Sequence, residues 1–151
     1  MRGRDRVRRV VNVVNLSTPL GLLLARLGHA RLRPGPHGTV VAAGYRSRFP
    51  APRAPALTIG DVILLRLDDV ALARRPQLLT HEARHATQWA WLLGVVGFPP
   101  AYALATLWSL ATVGDTALGN VFERRAGLVA GGYLAPTAAE PTGGSRPPAR
   151  P

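Results

Sequence analysis

The sequence predicts a small, helix-rich α+β domain, and three observations carry that expectation. Its 151 residues are the size of one compact domain with a core of its own. Hydrophobic residues make up 47% and charged residues 18%, a balance that favours folding over disorder. Proline and glycine clusters cut the first half into short β-type runs and leave helix-length apolar stretches in the second. Residues 1-17 read as a basic N-terminal segment, 18-133 as the single domain, and 134-151 as a disordered Pro/Gly-rich tail containing Glu140. There is no internal repeat.

Thr18-Pro19 has the form of an N-cap followed by proline at the first helical position. It should open an apolar helix through Leu27 that Gly28 can end. Arg33 to Gly38, rich in Pro and Gly, reads as a loop, and Thr39 to Tyr45 as a short strand. Pro50, Pro52 and Pro55 mark a second loop. Leu57 to Leu67, interrupted by Gly60-Asp61, then reads as a strand or a bent hairpin arm closed by Asp68 and Asp69. A helix beginning around Ala73 to Pro76 should run to Leu93, where Gly94, Gly97 and Pro99-Pro100 must break it. Two more helices are expected, Ala101 to Val113 and Thr116 to Val129, the last stopped by Gly131-Gly132.

The formal charge is +11, yet it does not point to nucleic acid as a specific partner. All nineteen basic residues are arginines and they are scattered, apart from Arg2, Arg4, Arg6, Arg8 and Arg9. No aromatic residues are interleaved with that group to stack bases. Cysteine is absent, which excludes disulfides and thiolate chemistry. Val10 to Ala25 superficially resembles a leader or anchor, but Asn12, Asn15, Ser17, Thr18 and Pro19 interrupt it and no clean cleavage site follows. A cytoplasmic or membrane-associated location is therefore expected rather than secretion. From Ala86 to Gly114 there is no Asp, Glu, Lys or Arg. A membrane span needs about 20 continuous apolar residues, and Gly94 to Pro100 divides this run in two. The expectation is a buried helical hairpin, with a hairpin resting on a bilayer as the alternative.

The chemistry lies in His81-Glu82-Ala83-Arg84-His85, an HExxH motif on the expected long helix. Residues four apart share a helix face, so His81 and His85 can both reach one metal ion. Glu82 is rotated about 100° from His81, which suits a base acting on a metal-activated water better than a ligand. Shuffling this composition yields the motif in only about 0.2% of trials, so chance is a poor explanation of it.

Catalytic zinc sites usually carry three protein ligands and an open water position, so a third ligand is needed. Glu123, at the start of a helix reading Val121-Phe122-Glu123-Arg124-Arg125-Ala126, is the leading candidate, completing a His-His-Glu set. Asp115 is the runner-up, as a ligand or as an acceptor for an imidazole N–H. His29 and His37 lie in loops and are weaker candidates. Gln88, one turn beyond His85, can bind substrate or orient a ligand, or be an ordinary polar residue at the helix flank. Trp89, Trp91 and Trp108 read as core or interface aromatics.

These residues also resemble a family. Ala56 to Ile63 with its Thr-x-Gly turn, Leu78-Leu79-Thr80-His81-Glu82, His85-Ala86-Thr87-Gln88 and Phe122-Glu123-Arg124-Arg125-Ala126 are similar to an uncharacterised bacterial zincin-like domain. The resemblance runs from about Pro55 to Ala130. It implies a small zincin-like fold, a short β-sheet or hairpin packed on helices with HExxH on the central one, and a gluzincin-type site with the later glutamate, Glu123, as third ligand. The resulting expectation is a metallopeptidase-like hydrolase using one Zn2+ on a peptide or protein substrate, with Glu82 as general base. The alternative is a non-catalytic metal-binding or membrane-surface scaffold.

Overall fold

A computed structural model describes residues 3–135 of the chain. The tail expected from residue 134 lies, from 136 onward and including Glu140, outside the described residues. The fold is α+β and helix-rich, with a small four-stranded mixed sheet.

Strands β1 (Arg31–Pro34), β2 (Val40–Ala43), β3 (Ala56–Ile59) and β4 (Val62–Leu65) lie in the order β1-β2-β4-β3. β2 runs parallel to β4, and the other two pairs are antiparallel. Every residue of β4, Val-Ile-Leu-Leu, is buried because the strand is central and covered on both faces. Val62 and Leu64 pack with Ile59, Trp89 and Phe98 on one side, and Ile63 and Leu65 with Val41 and Leu78 on the other. The bent arm expected over Leu57 to Leu67 is thus the β3–β4 hairpin. Gly60 makes its turn at φ +60°, beneath the backbone of Ser17 and Thr18. The expected loop at Arg33 to Gly38 is only partly a loop, because Arg31 to Pro34 pairs with β2 before a short 3-10 turn at Pro36–Gly38.

Helices α1 (Gly3–Val14) and α2 (Ser17–Leu27) precede the sheet. The basic N-terminal segment is therefore largely helix, and α1 packs on α2 and on the motif helix. Positions 17 and 18 both lie in α2. Arg8 and Asn12 face inward and reach Asp61, at 2.8 Å and 3.2 Å. Thr18 does not cap α2: its hydroxyl accepts from the Asp61 N–H, while α2 begins one residue earlier.

The expected helix from Ala73 to Leu93 is two. α3 (Asp69–Ala73) is capped by Asp68, whose side chain accepts from the Ala71 N–H at 2.7 Å, and α4 (Leu78–Trp91) starts after Pro76. α5 (Phe98–Val113) begins slightly earlier than expected, with prolines in its first turn. The expected helix Thr116 to Val129 is also broken. Asp115 and Asn120 turn the chain, leaving α6 (Val121–Ala126) and α7 (Leu128–Gly131) divided by Gly127 at φ +99°.

The expected buried hairpin over 86–114 is not what forms. α5 buries Phe98 and Ser109, while Trp91, Leu93, Val96, Leu104, Leu107 and Trp108 stay exposed. The domain is too small to cover a helix that is apolar all round. No single helix among the described residues is long and apolar enough to cross a membrane.

Candidate metal centre

α4 places His81, Glu82 and His85 on the side that faces β3, α6 and α7, and all three are buried. α6 brings Glu123, also buried, against both imidazoles. His81 Nε2 lies 3.2 Å from Glu123 Oε2, His85 Nε2 lies 3.5 Å from Glu123 Oε1, and the two Nε2 atoms are 3.2 Å apart. Residues 42 positions apart in sequence thus meet at one point.

Hydrogen bonds on the far side of each ring fix the tautomers. His81 Nδ1 is 3.0 Å from the Gly127 carbonyl, which can only accept, so Nδ1 carries the proton. Gln88 donates its amide N–H to the Phe122 carbonyl at 3.0 Å, which leaves its oxygen, 2.7 Å from His85 Nδ1, as the acceptor. When neutral, each ring therefore presents a bare Nε2 lone pair to the other ring and to a carboxylate; a ring that takes up a second proton donates from that Nε2 to Glu123. Glu123 Oε2 is buried with no hydrogen-bond donor. Three electron-rich groups facing one another in a desolvated space repel unless a cation sits among them. The His81, His85, Glu123 group could hold a metal ion.

The protons of the metal-free site show the same need. Burial lowers the pKa of His85, but Glu123, Glu82 and Gln88 outweigh it and the net shift is upward. Burial raises Glu123, but hydrogen bonds from His81, His85 and Tyr102 and the charge of His85 carry it well below the carboxylate range. Tyr102 donates its hydroxyl to Glu123 Oε1. The phenols of Tyr102 and Tyr133 are both pushed far up, first by burial and then by the charge of Glu123, and both keep their protons.

Glu82 lies beside this group without joining it. Thr58 of β3 donates its hydroxyl to Glu82 Oε2 at 2.7 Å, and the Trp89 indole N–H holds the Thr58 carbonyl at 2.8 Å. His81, Glu82, His85, Glu123 and Tyr133 open together onto a mainly apolar cleft of about 510 Å³, walled by α2, the 49–51 loop, β3 and the start of α5. The volume suits a small-molecule or side-chain ligand.

Asp115 is not brought to this group. Its Oδ1 accepts from the Ala117 and Leu118 N–H groups at 2.7 and 2.8 Å, and those bonds lower its pKa. His29 and His37 are exposed in turns, both at positive φ. Of the tryptophans, Trp89 is buried beside the cleft, while Trp91 and Trp108 are on the surface. Sequence reasoning assigned no role to Thr58, Tyr102, Tyr133 or Gly127. Thr58 stands inside the Thr-x-Gly pattern and could have been found there, but the tyrosines carry no local signal.

Comparison with protein-family models, with curated proteins and with solved structures returns no match to this chain. The class the fold and site define is thus an α+β domain with a buried His-His-Glu candidate metal centre beside an apolar cleft.

Proposed function

We propose that this protein is a single-zinc hydrolase that cleaves a peptide or related amide, with His81, His85 and Glu123 as zinc ligands and Glu82 as general base. The observation that carries the reading is the convergence of two bare Nε2 atoms and an undonated carboxylate oxygen. Their spacing also fits zinc: tetrahedral ligands at about 2.0–2.1 Å from the ion stand about 3.3–3.4 Å apart, against 3.2 Å for the nitrogen pair and 3.2 Å for His81 to Glu123. Imidazole nitrogen and carboxylate oxygen are donors zinc accepts.

Zinc held by His81, His85 and Glu123 would supply a Lewis acid and lower the pKa of water toward neutrality. Glu82, opening on the same cleft and held by the Thr58 hydroxyl, would accept a proton from the attacking water as its oxygen bonds to the amide carbon. It would return that proton to the departing nitrogen as the C–N bond breaks, leaving a carboxylic acid and an amine. The apolar walls of the cleft favour substrates with apolar side chains near the scissile bond.

Elemental analysis and peptide turnover test this reading. One zinc per chain is expected, lost in His81→Ala and Glu123→Ala. Glu82→Gln should keep the metal and lose cleavage of a mixed peptide library. A zinc-replete preparation without bound zinc, or zinc content unchanged in His81→Ala, overturns it. Bound zinc with no cleavage by the unaltered protein would support the second reading, a non-catalytic metal scaffold, which the near-complete burial of the three ligands favours.

A further inference from the structure

Two helices of this domain turn unpartnered apolar residues outward. α1 directs Arg8 and Asn12 inward to Asp61 and leaves Val7, Val10, Val13 and Val14 exposed beside the exposed Arg4, Arg6 and Arg9. α5 is apolar all round: it buries Phe98 and Ser109, whose hydroxyl donates to the Asp115 carbonyl at 2.5 Å, while Leu104, Leu107 and Trp108 face outward.

The α1–α2 junction and the α4–α5 turn meet at one end of the molecule. Asn15, between α1 and α2, donates its side-chain N–H to the Trp89 carbonyl at 3.4 Å, and Gly94, in the α4–α5 turn, packs against the Asn15 side chain. Val14, adjoining Asn15 in the chain, is 75% exposed, and Trp91, Leu93 and Val96, flanking Gly94, are 82%, 74% and 77% exposed. The same end borders the cleft, since Leu20 of α2 and Pro99 of α5 line it.

We propose that this end, formed by the α1–α2 junction and the α4–α5 turn, seats in the surface of an anionic lipid bilayer. Charge selects the bilayer over a second copy of the chain. No charged residue falls between Ala86 and Gly114, while the chain as a whole carries +11. Arg6 and Arg9 flank Val10, Val13 and Val14 in one shallow groove on α1. A second copy with the same charge is repelled, whereas anionic headgroups attract the arginines and the acyl layer accepts the valines, leucines and tryptophans. α1 and α2 together have the length and composition of an apolar segment, but a 74° bend between them suits lying in the interface rather than crossing it as one rod. The cleft then opens close to the lipid, where an apolar substrate is concentrated. This inference goes beyond the hydrolase reading and stands without it, since it uses none of the metal ligands.

Flotation of the full chain with lipid vesicles tests it. Binding to vesicles of phosphatidylcholine and phosphatidylglycerol should exceed binding to phosphatidylcholine alone by at least about tenfold. Brominated acyl chains should quench the exposed tryptophans, and Trp91→Phe should remove part of that quenching. Leu93→Glu with Val96→Glu should cut binding about tenfold while leaving the far-UV circular dichroism and zinc content unchanged. If that variant does not fold, the quenching of the unaltered chain decides. Failure to float with anionic vesicles overturns the proposal. So does flotation without quenching, which is contact by charge alone. A dimer in dilute lipid-free buffer that the double variant splits also overturns it, because a second copy then covers the patch.

Discussion

At the scale of single residues, the site is defined as much by what holds the histidines as by the histidines themselves. Gln88 joins the amide of α6 to the ring of His85 and thereby decides which nitrogen is bare. Its replacement by leucine frees the ring to rotate and take the other tautomer, so zinc affinity should fall about 10- to 100-fold, measurable by competition with a chelating dye. Proton linkage is a second consequence. His85 has a pKa raised above its ordinary 6.5, so its protonated form contributes stability to the metal-free fold below that value, lost as pH rises through the folded value. Glu123 is depressed from its ordinary 4.5, so its contribution is present above that value and is lost as pH falls through the folded value. In chelator, the thermal midpoint should therefore peak between about pH 4.5 and the raised value of His85. Zinc must displace the His85 proton, so titration near pH 6.5 should release about one proton per ion, read by calorimetry in buffers of different ionisation enthalpy.

At the scale of elements, α1 and the β3–β4 turn are tied by one buried polar knot. Asp61 accepts from Arg8 at 2.8 Å, Asn12 at 3.2 Å and Thr18 at 3.3 Å, and Asn12 also donates to the Ala86 carbonyl of α4 at 2.9 Å. The carboxylate thus locks α1, α2 and the sheet to the helix that carries the site. Asp61→Ala leaves the buried Arg8 guanidinium with Asp5 at 3.6 Å and the His37 carbonyl at 2.7 Å, and should destabilise the fold by about 1–3 kcal/mol, measured by urea denaturation. The break between α6 and α7 has an equally specific cause. Gly127 adopts φ +99°, and a Cβ there would stand 2.6 Å from Arg84 Nη1, which itself donates to the Ala126 carbonyl. That conformation points the Gly127 carbonyl at His81. The same carbonyl also accepts from the Gly131 N–H at 2.9 Å, so it serves the first turn of α7 and His81 together.

At the scale of the whole molecule, the candidate centre joins the short helices α6 and α7 to α4. Arg84 to the Ala126 carbonyl and Gln88 to the Phe122 carbonyl tie the same helices from outside the centre. A cation there links them, so metal should stabilise the fold globally. Free zinc at about a thousand times its Kd should add about 4 kcal/mol, and chelation should lower the thermal midpoint in a concentration-dependent way.

The sequence by itself determined the local features: the helix-length apolar runs, the β-type run interrupted at Gly60-Asp61, and the pairing of His81 with His85 on one helix face. These depend on neighbours within about one helical turn or one tight turn, which is the range over which periodicity and turn chemistry act. It also made Glu123 the leading third ligand, with Asp115 left open. Only the tertiary structure brings Glu123 and not Asp115 to the two histidines, because that placement depends on where α6 docks and on the turn that consumes the Asp115 carboxylate. The tyrosines beside Glu123, the inward arginine of α1 and the exposed face of α5 were hidden for the same reason. Each is set by contacts between segments far apart in the chain, and no local pattern records which side of a helix will find a partner.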